Sequence, residues 1–355
     1  MAVYNGMPFL RTALDSILGQ TFRDFELLII DDGSTDDSRQ LVMSYDDQRI
    51  RLIVNESNRG LTPSLNLALQ HARGVYVARH DADDISEPHR LARQVAYLQN
   101  NPEIALLGTS YTKIDEHGNE LGRRHMPVDS TRIQWCLLFF CPFAHTSVMF
   151  RRALVLDRVG TYDESYKYAQ DYDLWSRIAA VLPSANLRYP AVRVRITSAS
   201  MTATHENRLI EGPSISTRNL APLLHWTEAT AEQNLADYFL MHRLLYGNHR
   251  DMRPVDVLRA THHILELVPA FCDHHMMSVR ERELLRSAVG ARLRWRLMMI
   301  VSRWSNEEYA AMSDLLVGST HRRWLTLLGL PGARRAFVKL RGPEALSALE
   351  PWRSL

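Results

Sequence analysis

Three aspartates fall within four positions of His80-Asp81-Ala82-Asp83-Asp84, a density that scaffold alone does not call for. The preceding run, Val75-Tyr76-Val77-Ala78-Arg79, is β-branched and aromatic and predicts a strand. If the chain stays extended past Arg79, alternate side chains share a face, so Asp81 and Asp83 point at one spot. Such a pair repels itself at neutral pH unless a cation intervenes, and hard oxygen donors suit Mg²⁺ or Mn²⁺. A solvated acidic turn with Ser86 capping the next helix is the bland alternative, and three aspartates alone do not separate the two.

The elements around this stretch decide what it can meet. Ala2-Val3-Tyr4 reads as the tail of a strand, and a helix runs from about Pro8 to Leu18 with Leu10, Leu14, Ile17 and Leu18 as one stripe. Phe25 to Ile30 is nearly continuous apolar sequence, as in a parallel strand covered on both faces. It ends at Asp31-Asp32-Gly33-Ser34, where Asp31 reads as a turn residue and Gly33 permits a tight turn. Ile50 to Val54 is a third strand, and Thr62 as cap, Pro63 and Gly74 bracket a further helix. The βαβαβ order predicts a doubly wound α/β sheet. Ligands then lie beyond the carboxyl ends of the strands, where Tyr4, Asp32 and the Asp81 to Asp84 stretch all fall. Neither a Gly-x-Gly-x-x-Gly nor a Walker loop is present, so a plain dinucleotide or triphosphate site is excluded. An aromatic ring, base-reading carboxylates and a metal-binding pair suit a nucleotide diphosphate held through a divalent ion.

Past Asp84 the pattern changes. A helix with Leu91, Val95 and Leu98 inward stops at Asn100-Asn101-Pro102, and Ile104 to Ile114, the polar turn from Asp115 to Asn119 and the strand-like His145 to Phe150 predict an antiparallel edge where an acceptor would dock. Cys136 to Phe140 is too short for a membrane span and is expected as core helix. Beyond about residue 205, segments near 230–246, 253–268, 279–303 and 306–317 have helical spacing, which predicts a separate helical domain over 206–355 after a catalytic domain over 1–205. Arg292, Arg294, Trp295, Arg296 and Arg303, then Arg322, Arg323, Trp324, Arg334, Arg335 and Lys339, give that domain basic faces. They are read either as solvated faces or, more sharply, as a peripheral attachment to anionic lipid.

Composition bounds these readings. With 355 residues, 46% hydrophobic and 23% charged, the chain is long enough for about two globular domains. The net charge of +2 gives no general argument for nucleic acid as a partner. Three cysteines without metal-ligand spacing, no apolar run of membrane-spanning length and no export signal at the start place the expected protein in the cytoplasm.

Ala2-Val3-Tyr4-Asn5, Gln20-Thr21-Phe22, Asp31-Asp32-Gly33-Ser34, Asn58-Arg59-Gly60-Leu61, Asp81-Ala82-Asp83-Asp84, Pro88-His89-Arg90-Leu91, the His145 to Arg151 passage and Gln170-Asp171-Tyr172-Asp173-Leu174-Trp175 stand in an order and spacing that resemble the family-2 inverting glycosyltransferases of GT-A fold. The resemblance implies a nucleotide-diphosphate sugar donor, of uridine or deoxythymidine type, and transfer with inversion to a saccharide or lipid-linked acceptor in surface polysaccharide or lipopolysaccharide synthesis. It implies that Tyr4 lies against the base, Asp32 accepts from a base N–H, Asp81 faces ribose or metal, Asp83 ligates the metal, and Asp171 is the general base. His145 would contact the acceptor or simply be buried, and Asp173 and Trp175 would position. Relatives often carry histidine where this chain has Arg195, which could bind phosphate oxygens as a fixed cation. They also carry apolar residues ahead of the Ala2 to Asn5 passage, so the expectation is either a truncated or misassigned start or a first strand reduced to a stub. Two other classes stand beside this one: a non-catalytic nucleotide-sugar-binding relative, which retention of Asp83 and Asp171 disfavours, and a sugar nucleotidyltransferase, which would want a Gly-rich triphosphate loop.

Overall fold

Five consecutive buried residues make the strand β2 (Leu27–Asp31) the spine of the N-terminal sheet, as its unbroken apolar sequence requires. It pairs in parallel with β1 (Ala2–Val3) on one side and β3 (Ile50–Val54) on the other. The structure, a computed structural model, describes residues 1–197, 211–248 and 252–301. Helix α1 (Leu10–Leu18) buries Leu10, Ala13, Leu14 and Ile17, and α2 (Ser38–Met43) buries Leu41 and Val42, in one cluster with Val3 and Ile29. Helix α3 (Leu61–His71) starts one residue ahead of the expected Thr62 cap. Gly60 is its N-cap, at a φ of 95° that suits glycine, while the Thr62 hydroxyl donates to the Tyr166 carbonyl at 3.1 Å.

The α/β reading holds, but the expected single sheet is divided. Strand β4 (Tyr76–Ala78) pairs with no N-terminal strand among the described residues and joins a second sheet through β8 (Met149–Arg151). That sheet has the order β4-β8-β6-β9-β5, with β5 (Ile85–Ser86), β6 (Leu106–Ile114) and β9 (Ser184–Arg195), and with β7 (Glu120–Arg124) paired to β6 as the expected hairpin. It is antiparallel except for β6 and β9. Helix α4 (Arg90–Asn100) turns Leu91, Val95 and Leu98 onto Leu107, Met149 and Ala185. The short α5 (Ser130–Cys136) and α6 (Arg152–Arg158) and the longer α7 (Gln170–Val181) cover the remaining core, where Trp175 is fully buried.

Three local expectations are corrected. His145–Ser147 is a turn of 3₁₀ helix, and the strand begins only at Met149. α5 ends at Cys136, so the apolar run that follows is a buried turn with Leu137, Leu138 and Phe139 packed inward. Ser86 is not a helix cap: its hydroxyl accepts from the Arg90 guanidinium at 3.0 Å.

The chain divides into two compact units at Ile215 and Ser216. The second consists of helices: most of α8 (Glu211–Leu224), then α9 (Ala231–Leu245), α10 (Pro254–His274) and α11 (Val279–Val301). Buried Asp237 on α9 pairs with Arg259 at 2.5 Å and with His263 at 3.2 Å on α10. Arg292 and Arg296 are not free members of a basic face. They donate to the Leu245 and Gly247 carbonyls at 2.5 and 2.8 Å, closing the C-terminal end of α9. The segment 306–317, Arg303 and the basic residues from Arg322 to Lys339 lie outside the described residues.

Candidate active site

Tyr4, Asp32 and the Asp81 to Asp84 turn follow the carboxyl ends of β1, β2 and β4 in turn. Tyr4 follows β1 with its side chain half exposed (49%), available to a planar partner. Asp32 is buried, and its carboxylate accepts from Asn55 Nδ2 at 2.7 Å and from the amides of Arg59 at 3.0 Å and Gly60 at 2.8 Å. Those donors come from the loop after β3, so Asn58-Arg59-Gly60-Leu61 is there to shape the Asp32 pocket. Asp31 behaves as the turn residue it resembles, accepting from Ser34 N–H at 3.0 Å and from Arg39 Nε at 2.8 Å.

The chain does not stay extended after Arg79. Ala82 and Asp83 form a turn, so the shared face of Asp81 and Asp83 does not arise by strand alternation. The turn still crowds the carboxylates. Burial, and then the charge of Asp81, push the Asp83 carboxyl up to about 6. Burial and the charges of Asp81 and Asp83 raise Asp84 well above the usual carboxylate range. For Asp81 burial works the same way, but the Arg79 guanidinium, 2.5 Å from Oδ1, outweighs it and holds the carboxyl below its ordinary value. Arg79 is the guanidinium that bonds a carboxylate of this turn directly, and the buried Arg90 and Arg195 bring further positive charge to it. Among the described residues no three His, Cys, Asp or Glu side chains are grouped to hold a metal by themselves.

Arg195 is placed differently from the phosphate-binding expectation. Its guanidinium donates to the carbonyls of Asp83, Asp115 and Glu116, each at 2.9 Å, and lies 4.3 Å from the centre of the Phe9 ring. Its amide donates to Asp84 Oδ1 at 2.8 Å. Arg195 therefore ties the acidic turn to the β6–β7 hairpin, as a positioning residue. Arg90 does the same from the other side: fully buried, it donates to the Arg79 carbonyl at 2.6 Å and contacts His80 Nδ1 at 3.2 Å.

Asp171 enters from the first turn of α7. Burial, opposed by the Tyr172 amide at 2.7 Å and reinforced by the charge of Asp81, pushes its carboxyl up to about 6. A carboxyl poised there is mostly ionised at neutral pH and still a usable proton acceptor. His145 is not: burial and then Arg79 drive its pKa to about 3, and its Nε2 accepts from Arg79 Nε at 3.1 Å, which leaves the ring proton on Nδ1. His145, Tyr162 and Trp175 pack ring against ring with centroids 5.9 to 6.0 Å apart. Asp173 is 1% exposed and paired with Arg177 at 2.8 Å. Arg79 and Tyr162 are site residues that the sequence did not disclose. The one signal for Arg79 was a charge at the end of an apolar strand. A cavity of about 460 Å³ lies against β6, β7 and β9, with Glu87, Glu120, Arg123, Tyr189 and Arg193 on its walls.

Residues 1–158 match the sequence profile described as Glycosyl transferase family 2. The amylovoran biosynthesis glycosyltransferase AmsE of Erwinia amylovora is 33% identical over 192 residues, covering 53% of this chain and 71% of that protein. An uncharacterised glycosyltransferase of Haemophilus influenzae is 30% identical over 219 residues, covering 58% of this chain and 68% of that one. The matches take in about two thirds of the length of such relatives. Among solved structures, S. aureus TarS 1-349 in complex with UDP-GlcNAc superposes with a TM-score of 0.54 at 18% identity, over 94% of this chain and 90% of that one, a likeness of fold.

Proposed function

The chain belongs to glycosyl transferase family 2, and on that premise we propose that it moves a sugar from a UDP- or dTDP-type nucleotide-diphosphate donor to a saccharide or lipid-linked acceptor with inversion. The observation that supports this most is the pairing of two acidic centres from distant parts of the chain. The Asp81 to Asp84 turn lies close enough to Asp171 for the Asp81 charge to raise its carboxyl. Inversion by a single displacement needs such a division, a leaving-group side and a proton-accepting side.

In this reading Tyr4 lies against the base and Asp32, held by the loop after β3, presents its remaining lone pair to a base N–H. The donor set fits a divalent cation, because Asp81 and Asp83 bring hard carboxylate oxygens to one turn and a diphosphate would supply the missing oxygens. Asp83 and Asp81 would hold Mg²⁺ or Mn²⁺, which supplies positive charge against the leaving diphosphate. Asp171 takes the proton from the acceptor hydroxyl as its oxygen bonds to the anomeric carbon and the bond from that carbon to the phosphate oxygen breaks. The Tyr189 ring and the charged walls of the cavity against β9 suit a saccharide acceptor. Surface polysaccharide or lipopolysaccharide assembly is the setting this chemistry fits, and it agrees with the name of the AmsE relative. Peripheral contact with an anionic membrane would bring a lipid-linked acceptor to the site.

Asp171→Asn keeps the shape and removes the proton acceptor. The expected loss of UDP release from a UDP-sugar is about 10²- to 10⁴-fold with donor affinity nearly unchanged, whereas Asp83→Ala weakens donor binding as well. A near-normal rate for Asp171→Asn rules out this base.

A further inference from the structure

Helix α7 has Ala169 as its N-cap, a residue with no side chain to accept from the first turn, and inside that turn Asp171 Oδ1 accepts from the Tyr172 amide at 2.7 Å. The three amides just ahead of the helix are held from much further along the chain. Glu211, the first residue of α8, accepts from the backbone N–H of Lys167 at 2.9 Å with Oε1, and from those of Tyr168 and Ala169 at 2.7 Å each with Oε2. Three successive amides on one carboxylate is a strong, directional clamp, because charged acceptors make shorter and stronger bonds than neutral ones. The clamped residues immediately precede Gln170 and Asp171. On the other side the same loop is held by α3, through Thr62 to the Tyr166 carbonyl and Asn66 to the Tyr162 carbonyl. Fixed at both ends, the loop sets where the first turn of α7 begins.

We infer that Glu211 is a positioning residue for the proton acceptor: its carboxylate fixes the Lys167 to Ala169 backbone, and through it the place of the Asp171 carboxyl relative to the Asp81 to Asp84 turn. The inference rests on the reading of Asp171 as the base. Glu211 touches no reacting atom. It acts by keeping the acceptor oxygen within reach of the hydroxyl, where a displacement of about 1 Å costs on the order of 10²-fold in rate.

Glu211→Gln in the full chain tests this, since the carboxamide keeps the shape but turns a donor NH₂ toward an amide N–H. Turnover is read as UDP release from UDP-glucose or UDP-N-acetylglucosamine with Mn²⁺, and should fall about 10- to 100-fold while UDP affinity by calorimetry stays within about twofold. In an Asp171→Asn background the same substitution should cost nothing further, because the clamp has no base left to place. Titration of the Asp171 carboxyl by NMR needs no turnover: it should move from about 6 in the native chain toward the ordinary carboxylate range as the first turn loosens and water enters. An unchanged titration, an unchanged rate, or losses that multiply in the double variant would overturn the inference. A near-normal rate for Asp171→Asn alone would instead remove the base reading on which it rests.

Discussion

At the scale of the residue, the proposed reaction gives two carboxyls of similar acidity different duties, and substitution tells them apart where pH alone does not. Asp171 and Asp83 are both pushed up to about 6, each first by burial and then by the charge of Asp81. A base must be ionised to accept a proton, so kcat/KM should rise as pH rises through about 6 and level off above it. Asp171→Asn should lower the plateau and leave only the limb belonging to donor binding. The metal reading has its own check: UDP titrated by calorimetry with and without EDTA should bind more weakly when the cation is removed, and the difference should shrink as pH falls through about 6 and Asp83 protonates. Equal affinity in both would end that assignment. The Asp81 to Asp84 cluster stood out in the sequence by its density, whereas Asp171 was singled out through the family resemblance. Their partners were not legible there. Whether Arg79 faces Asp81 or solvent, and whether His145 is charged, depends on which side chains bury them, and local pattern does not encode that.

At the scale of the element, the site depends on loops meeting one another. Gly33 stands at a φ of +74°, and a Cβ added there would come within 2.7 Å of Ser57 C and 2.8 Å of Asn58 N. Both atoms are backbone of the loop that carries Arg59 and Gly60 to Asp32, so no side chain can swing aside to relieve the contact. Gly33→Ala should therefore cost about 1–3 kcal/mol in denaturant unfolding and weaken UDP binding together, through strain and displacement of that loop. The turn signal at Asp32-Gly33 was readable from sequence, yet the neighbour that makes the glycine necessary was not. Strand identity fared the same way. Ile50–Val54 was readable to the residue from its β-branched run. The His145 to Phe150 passage was not, because its first half is a 3₁₀ turn in which Ser147 Oγ donates to the Ala144 carbonyl at 2.8 Å, a local side-chain bond that competes with the strand.

At the scale of the whole molecule, two units divide the work of one chain. The helical unit was visible in the 3.6-residue period of its apolar positions, but the period is silent on what its arginines do. Arg292 stacks on Tyr246, with 4.4 Å from guanidinium carbon to ring centre, while donating to Leu245, so it belongs to the fabric of the unit. Arg292→Ala should lower the unfolding midpoint of the full chain and leave its sedimentation with anionic vesicles unaltered. If salt-sensitive sedimentation with anionic vesicles is seen and persists in that variant, its source is basic residues other than Arg292. If the full chain stays in the supernatant at low salt, the membrane contact is discarded. No helix among the described residues is long and apolar enough to cross a membrane.

Because β9 lies between β6 and β5, order of synthesis matters. A chain leaving the ribosome completes β1, β2 and β3 by Val54, and with them the Tyr4 and Asp32 end of the site. The second sheet cannot close until Arg195 has been made, since Leu106 pairs with Ser184 and Ile85 with Arg193. Parallel pairing across that span is a slow, non-local event. Until it happens Asp84 has no Arg195 amide and the acidic turn has no guanidinium to hold it. In a half-translated chain the acidic turn therefore lacks both contacts that Arg195 gives it in the finished fold.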